Sequence, residues 1–269
     1  MKKTLLINGC SFTAGDDIAW DYQTHGSWNS EPNYFREEYM VNIRPKYNLA
    51  GKLSKLLDTT AVDFSRDGNS NSEISLKTIG YISQLSDDER KNLHVCIGWT
   101  ERSRLCRWSI HRNKFTTINV SMIDFFKQNR HIKILGLLYD EFEWCMPHFT
   151  RSHDIDDIVI DITRILALEN YLKSEGITYT FWSTLSPPTT NNDIELLKTH
   201  TMIDLYKLSD NSSWINFVSE PVHTYHQLSW TDAVLLKDKV NNFTPNRHPS
   251  LLAVNMLSKK IVNHILTTT

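Results

Sequence analysis

Thr4-Leu5-Leu6-Ile7-Asn8-Gly9-Cys10-Ser11-Phe12-Thr13-Ala14-Gly15 is the stretch on which the reading of this chain turns. The apolar run predicts a strand over Thr4–Asn8, and the small residues after it predict a tight turn. Ser11 would then stand where a strand hands over to a helix. A serine hydroxyl is a weak nucleophile until a base takes its proton. It also needs donors aimed at the oxyanion that forms on attack. The unpaired N–H groups of a first helical turn are such donors. A plain tight turn favours the same small residues, so the stretch alone leaves nucleophile and turn both open. It is not a GxSxG elbow, because Thr13 stands where the second glycine would be. No Gly-Lys-Ser/Thr ending marks a phosphate loop.

Outward from this stretch, short apolar runs alternate with amphipathic ones. Further strands are expected at Ala61–Ser65, His94–Gly98, Ile132–Leu138 and Thr178–Trp182. Helices are expected at Leu49–Leu57, Ser72–Leu85, Ile155–Ser174 and Leu251–Leu266. Strands separated by helices pair in parallel through right-handed crossovers. The expected fold is a three-layer α/β/α sandwich on a mostly parallel sheet. It forms one domain over residues 1–269, with insertions around 105–131 and 183–247. Ligands of such sheets gather at the carboxyl ends of the strands. The loops 9–15, 65–72 and 98–108 are therefore the ones to inspect.

Composition narrows the function classes. With 29 basic and 31 acidic residues, the chain has no general electrostatic grip on nucleic acid or an anionic membrane. No stretch approaches the roughly 20 apolar residues of a membrane span. The run Leu5-Leu6-Ile7 falls short of the roughly 7–15 residues of a signal h-region. The expected location is the cytoplasm. The 4 cysteines fit no zinc spacing and include no CxxC pair. The histidines, including His223, His226, His148 and His153, show no HExxH spacing, so no metal or other cofactor is expected. Asp154, Asp156, Asp157 and Asp161 are read as acids favoured near a helix start.

Four blocks in order resemble those of the SGNH, or GDSL, hydrolases. Gly9-Cys10-Ser11-Phe12-Thr13-Ala14-Gly15 is similar to the first block, Gly-Asp-Ser-x-Thr-x-Gly, with Cys10 in place of the aspartate. Ser65-Arg66-Asp67-Gly68-Asn69-Ser70-Asn71 resembles the second block, whose glycine lends an oxyanion N–H. Gly98-Trp99-Thr100-Glu101 sits where the family has Gly-x-Asn-Asp. Asn246-Arg247-His248-Pro249-Ser250 resembles the fifth block, which carries the catalytic histidine. The resemblance implies ester or acyl-group hydrolysis without a metal. It assigns Ser11 as nucleophile and His248 as general base, then acid. The Ser11 and Gly68 amides would form most of the oxyanion hole, completed by Thr100 or Arg102. The GCSFT opening and the GW-type third block also resemble phage-encoded members, which would place the protein in a host cytoplasm or a virion.

Two positions depart from the pattern. The family's catalytic acid, three residues before the histidine, is Pro245 here. Asn246 is the nearest residue that could orient His248, with Asp238 and Asp232 as carboxylates from elsewhere. Thr100 replaces the third-block asparagine, and Arg102 reaches further with a charged fork. Trp99, Arg104 and Trp108 form an aromatic and basic run suited to an anionic or sugar-containing substrate. The leading expectation is an acyl esterase acting on a small-molecule or carbohydrate ester, such as an O-acetylated sugar. The alternatives are an acyltransferase using the same Ser-His site, and a catalytically silent SGNH-fold binding or structural module of a phage particle.

Overall fold

Strand β1 (Thr4–Gly9) is the centre of the sheet in the computed structural model, which describes residues 3–15, 44–102, 104–109, 113–118, 154–185, 199, 211–215, 238–239 and 249–268. On one side β1 pairs in parallel with β2 (Thr60–Asp63), on the other with β3 (Leu93–Trp99). Strand β3 in turn pairs in parallel with β6 (Thr178–Ser183). The order β2-β1-β3-β6 reverses direction at β1, which creates a crevice at the carboxyl ends of β1 and β3. Trp214 extends the edge beyond β6 through a bridge to Phe181. The anticipated strand Ile132–Leu138 lies outside the described residues.

Alternation along the strands sends neighbouring side chains to opposite faces. Leu6, Val95, Ile97, Trp99 and Phe181 face α4 (Asn71–Ile82) and α6 (Asp154–Ser174). Leu5, Ile7, Cys96 and Trp182 face α3 (Leu49–Leu57) and α7 (Leu251–Thr268). Helices thus cover both faces, and the three layers are those expected. Short helices α1 (Ser11–Ala14), α2 (Arg44–Tyr47) and α5 (Asp87–Lys91) also lie among the described residues. Helix α5 carries a Ser86/Glu89 capping box.

Helix α7 fixes a direction that matters for the site. Near its end, His264 lies close enough to His94, at the amino end of the sheet, for charge on the two rings to repel. Near its start, Leu251 packs into the same apolar cluster as Phe12 of α1. The intervening helix rises roughly 20 Å, about the length of one strand of this sheet. Helix α7 therefore begins at the carboxyl end of the sheet. Ser250 is its N-cap, accepting from the Ala253 N–H at 3.2 Å. Pro249 precedes the cap. Among the described residues, no helix is long and apolar enough to cross a membrane.

The first insertion begins with structure that the sequence reading missed. Strands β4 (Leu105–Ser109) and β5 (Lys114–Ile118) form an antiparallel hairpin directly after the third-block loop. It is tied to α4 where Thr117 donates to Glu73 at 3.0 Å.

Candidate active site

Ser11 opens α1 at the end of β1 and is 4% exposed. The Cys10 carbonyl accepts from the N–H groups of Thr13 and Ala14 at 3.0 and 2.9 Å, which closes the turn. Gly15 ends it in the left-handed region, at φ 70°, donating to the Ser11 carbonyl at 2.8 Å. Cys10 is fully buried, with its sulfur 3.5 Å from the Thr184 hydroxyl. Thr13 lies against two glycines, Gly9 and Gly98, which sit side by side in the β1–β3 register. A Cβ on either glycine would run into the Thr13 hydroxyl. At Gly98 it would also meet Thr184 Cγ2 at 2.8 Å and Trp182 Cε2 at 2.9 Å. Both glycines are required by close approach.

The loop after β2 is stitched to the end of β1. The Gly9 carbonyl accepts from the Arg66 N–H at 3.2 Å and from Asn69 Nδ2 at 2.9 Å. Asn69 Nδ2 also donates to the Phe64 carbonyl at 3.2 Å, while Lys77 donates to Asn69 Oδ1 at 3.2 Å. Within this loop Gly68 adopts φ +75°, with open space where a side chain would begin. A residue with a Cβ would be strained there. The Ser70 hydroxyl then caps α4 by accepting from the Glu73 N–H at 3.2 Å.

The third block follows β3. Thr100 is fully buried, and its hydroxyl has no hydrogen-bond partner among the described residues. Its N–H donates to Asn71 Oδ1 at 2.9 Å and its carbonyl accepts from Asn71 Nδ2 at 3.1 Å. Asn71 Nδ2 also donates to Asp161 at 2.7 Å. Burial pushes the Asp161 carboxyl up to about 6, against the opposing pull of Asn71 and Arg164. Asp161 was grouped by sequence with acids at the start of a helix. It lies two turns into α6, 2% exposed, beyond the reach of the helix dipole. Arg102 is partly buried beside this loop.

Two expected ligand contacts are corrected by these positions. Trp99 does not offer a ring face to a sugar. It is fully buried in the core, edge-on to Phe181 at 5.4 Å and 84°. The missed signal is its period-two spacing with Val95 and Ile97, which marks it as the last core residue of β3. Arg104 does not face open space. Its side chain is 9% exposed and pairs with Glu101 at 3.0 Å. It also donates to the Asn69 carbonyl at 3.3 Å, so it braces the second-block loop. Asp238 is exposed. His248, Asn246, Asp232 and the side chain of Trp108 lie outside the described residues. Among the described residues no three His, Cys, Asp or Glu side chains form a metal-ligand group.

Asn8, Asn69, Asn71 and Asp161 were not singled out by sequence as parts of this site, although their network holds the three loops together. Asn8 donates to the Ile74 carbonyl at 3.0 Å and to the Thr78 hydroxyl at 3.1 Å, joining β1 to α4.

No family model and no curated relative matches the chain. Solved structures similar to it include a crystal structure of TesA, at 10% identity and a TM-score of 0.49, covering 99% of this chain and 100% of that one. A member of the lipolytic protein G-D-S-L family from Veillonella parvula is similar at 9% identity and a TM-score of 0.42, with 97% and 96% covered. A family two carbohydrate esterase from Clostridium thermocellum, in complex with cellohexaose, is similar at 10% identity and a TM-score of 0.47, with 99% and 65% covered. The architecture rests on the strands themselves. Their parallel order β2-β1-β3-β6, with helices on both faces, makes this chain a flavodoxin-like three-layer α/β/α sandwich.

Proposed function

We propose that this protein is a serine hydrolase of the SGNH type that cleaves acyl esters. One observation carries the reading. Ser11, the Gly68 loop and Thr100 follow three neighbouring strands and meet at the crevice where the sheet reverses direction. Three blocks that resemble the family locally thus belong to one place. The start of α7 at the same end supports His248 as the partner, because Pro249 is the next residue.

In this mechanism the Ser11 hydroxyl attacks the acyl carbonyl while His248 takes its proton. The Ser11 and Gly68 N–H groups stabilise the oxyanion, with the Thr100 hydroxyl or Arg102 as third donor. His248 returns the proton to the departing alcohol, leaving an acyl-enzyme on Ser11. A water then attacks, giving its proton to His248, and the acid leaves as Ser11 regains the proton. Asn246 would orient the imidazole without a charge to stabilise imidazolium. In a serine protease the corresponding loss costs turnover roughly 10⁴-fold, so slow turnover is expected. The substrate is a small-molecule or carbohydrate ester.

The test is labelling by a fluorophosphonate, read by intact mass, on wild type, Ser11→Ala and His248→Ala. Labelling of folded wild type alone supports an activated Ser11. No labelling of folded wild type would sink the hydrolase reading and favour a silent module with this fold.

A further inference from the structure

Asn71 and Asp161 are separated by 90 positions in the chain, yet both are 2% exposed and bonded to each other. The Asn71 carboxamide grips Thr100 by its N–H and its carbonyl at once. That grip has a sense. If the carboxamide were turned over, its NH₂ would face the Thr100 N–H and its oxygen would face the Thr100 carbonyl. A carboxylate only accepts, so Asp161 at 2.7 Å from Nδ2 enforces the observed orientation. Arg164 occupies the other carboxylate oxygen at 3.1 Å, so both oxygens of the buried group have donors.

Burying such a group is costly, and an apolar pair of similar volume would join α4 to α6 without that cost. What an apolar pair would lack is a fixed backbone at Thr100. That residue carries a buried hydroxyl without a partner among the described residues. We propose that Asn71 and Asp161 are positioning residues: they hold the Thr100 backbone at the end of β3 and thereby aim its hydroxyl at the oxyanion. The geometry of the clamp stands alone, while its catalytic consequence rests on the serine-hydrolase reading.

A double-mutant cycle separates positioning from a mere staple, because a residue acting through Thr100 has nothing left to act through once that hydroxyl is gone. Turnover of a chromogenic acyl ester is measured for wild type, Asp161→Asn, Thr100→Val and the double variant, with Asn71→Ala as a second probe of the clamp. Small misplacements of catalytic groups cost up to about 10²-fold, so Asp161→Asn is expected to lower kcat about 10- to 100-fold with KM little changed. In the Thr100→Val background the same change is expected to cost less than about 2-fold. Amide exchange of the Thr100 N–H, followed by NMR, is expected to accelerate in Asp161→Asn and Asn71→Ala while that of Val95 is unchanged. Equal losses of kcat in both backgrounds, or unchanged exchange at Thr100, would overturn the proposal. Wild type with neither turnover nor fluorophosphonate labelling would instead overturn the hydrolase reading and the catalytic consequence with it. The exchange experiment would then decide the clamp by itself.

Discussion

His94 and Asp161 are ionisable groups buried at opposite ends of the sheet, and the fold treats their charges differently. At the amino end, the His94 ring nitrogens lie 2.8 and 3.0 Å from the Thr178 and Thr180 hydroxyls. Burial first, then Lys3 and His264, push this ring down to about 4, so it is neutral at pH 7. A neutral imidazole has one donor and one acceptor, and two hydroxyls satisfy both. At the carboxyl end, Asp161 stays ionised at pH 7 because Asn71 and Arg164 supply donors. His94 therefore carries no charge at pH 7, whereas Asp161 keeps one beside the Asn71 carboxamide that holds the Thr100 backbone.

The largest test of that difference is activity. Ser11→Ala is expected to lower kcat by several orders of magnitude, leaving only the residual rate that binding and the oxyanion donors supply. His94→Gln, at the other end of the strands, is expected to change kcat/KM by less than about 2-fold, since it reaches the site only through the length of β3. A large loss in His94→Gln, with folding intact by circular dichroism, would remove the contrast between the two ends.

Thr100→Val comes next. Loss of a side-chain oxyanion donor costs about 10²- to 10³-fold in turnover. Stability is expected to hold or rise by about 1 kcal/mol, because the buried hydroxyl has no partner to lose among the described residues. Denaturant midpoints and kinetics on the same preparation check both halves. A destabilised Thr100→Val with unchanged kcat would mark Thr100 as structural.

Much of this arrangement was legible in the sequence. Leu49, Leu53 and Leu57 gave away α3 by their period, and the apolar runs at β1, β3 and β6 gave away the sheet. The glycines of the first and third blocks, with Ser11, marked the crevice. The clamp was not legible, because nothing local couples Asn71 to a residue 90 positions away. The hairpin β4–β5 was missed because residues 105–108 were read as the end of a ligand loop and 105–131 as an insertion, with Trp108 drawing attention away from the alternation of β4. Helix α5 has no buried residue and so no apolar period, although its Ser86/Glu89 capping box was readable.

Stability against pH sharpens the pairing of His94 with Asp161. His94 titrates near 6.5 when unfolded and near 4 when folded, so the unfolded chain holds the extra proton in that window. Acidification from pH 6.5 to 4 therefore removes about 3 kcal/mol of stability at this site. Asp161 runs the other way, from 3.8 unfolded to about 6 folded, so the folded chain holds the extra proton and acidification adds about 3 kcal/mol. Lys3 and His264 act on the first group, Asn71, Arg164 and Asp157 on the second. The two contributions oppose each other. Relative to wild type, Asp161→Asn is expected to lose stability more steeply below pH 6, and His94→Gln less steeply. Urea midpoints from pH 7 to pH 4 decide it, and parallel curves for all three proteins would refute both assignments.

The smallest effects come from two glycines that look alike in sequence. Gly98 sits at the carboxyl end of β3, where an added Cβ meets Thr13, Thr184 and Trp182. Gly80 lies within α4 and has nothing within 4 Å of that position. Overpacking costs about 1–3 kcal/mol, so Gly98→Ala is expected to lower the denaturant midpoint. Replacing an interior helical glycine by alanine gains about 0.5–1 kcal/mol, so Gly80→Ala is expected to raise it. Trimming Thr13 to alanine in the Gly98→Ala background removes the hydroxyl that the new methyl group would strike, while Thr184 and Trp182 stay in contact. Partial recovery of stability in that double variant is therefore expected. Full recovery would mean that Thr13 alone demands the glycine. No recovery would mean that β3 and β6 set the spacing, and that the first block tolerates its threonine without needing it.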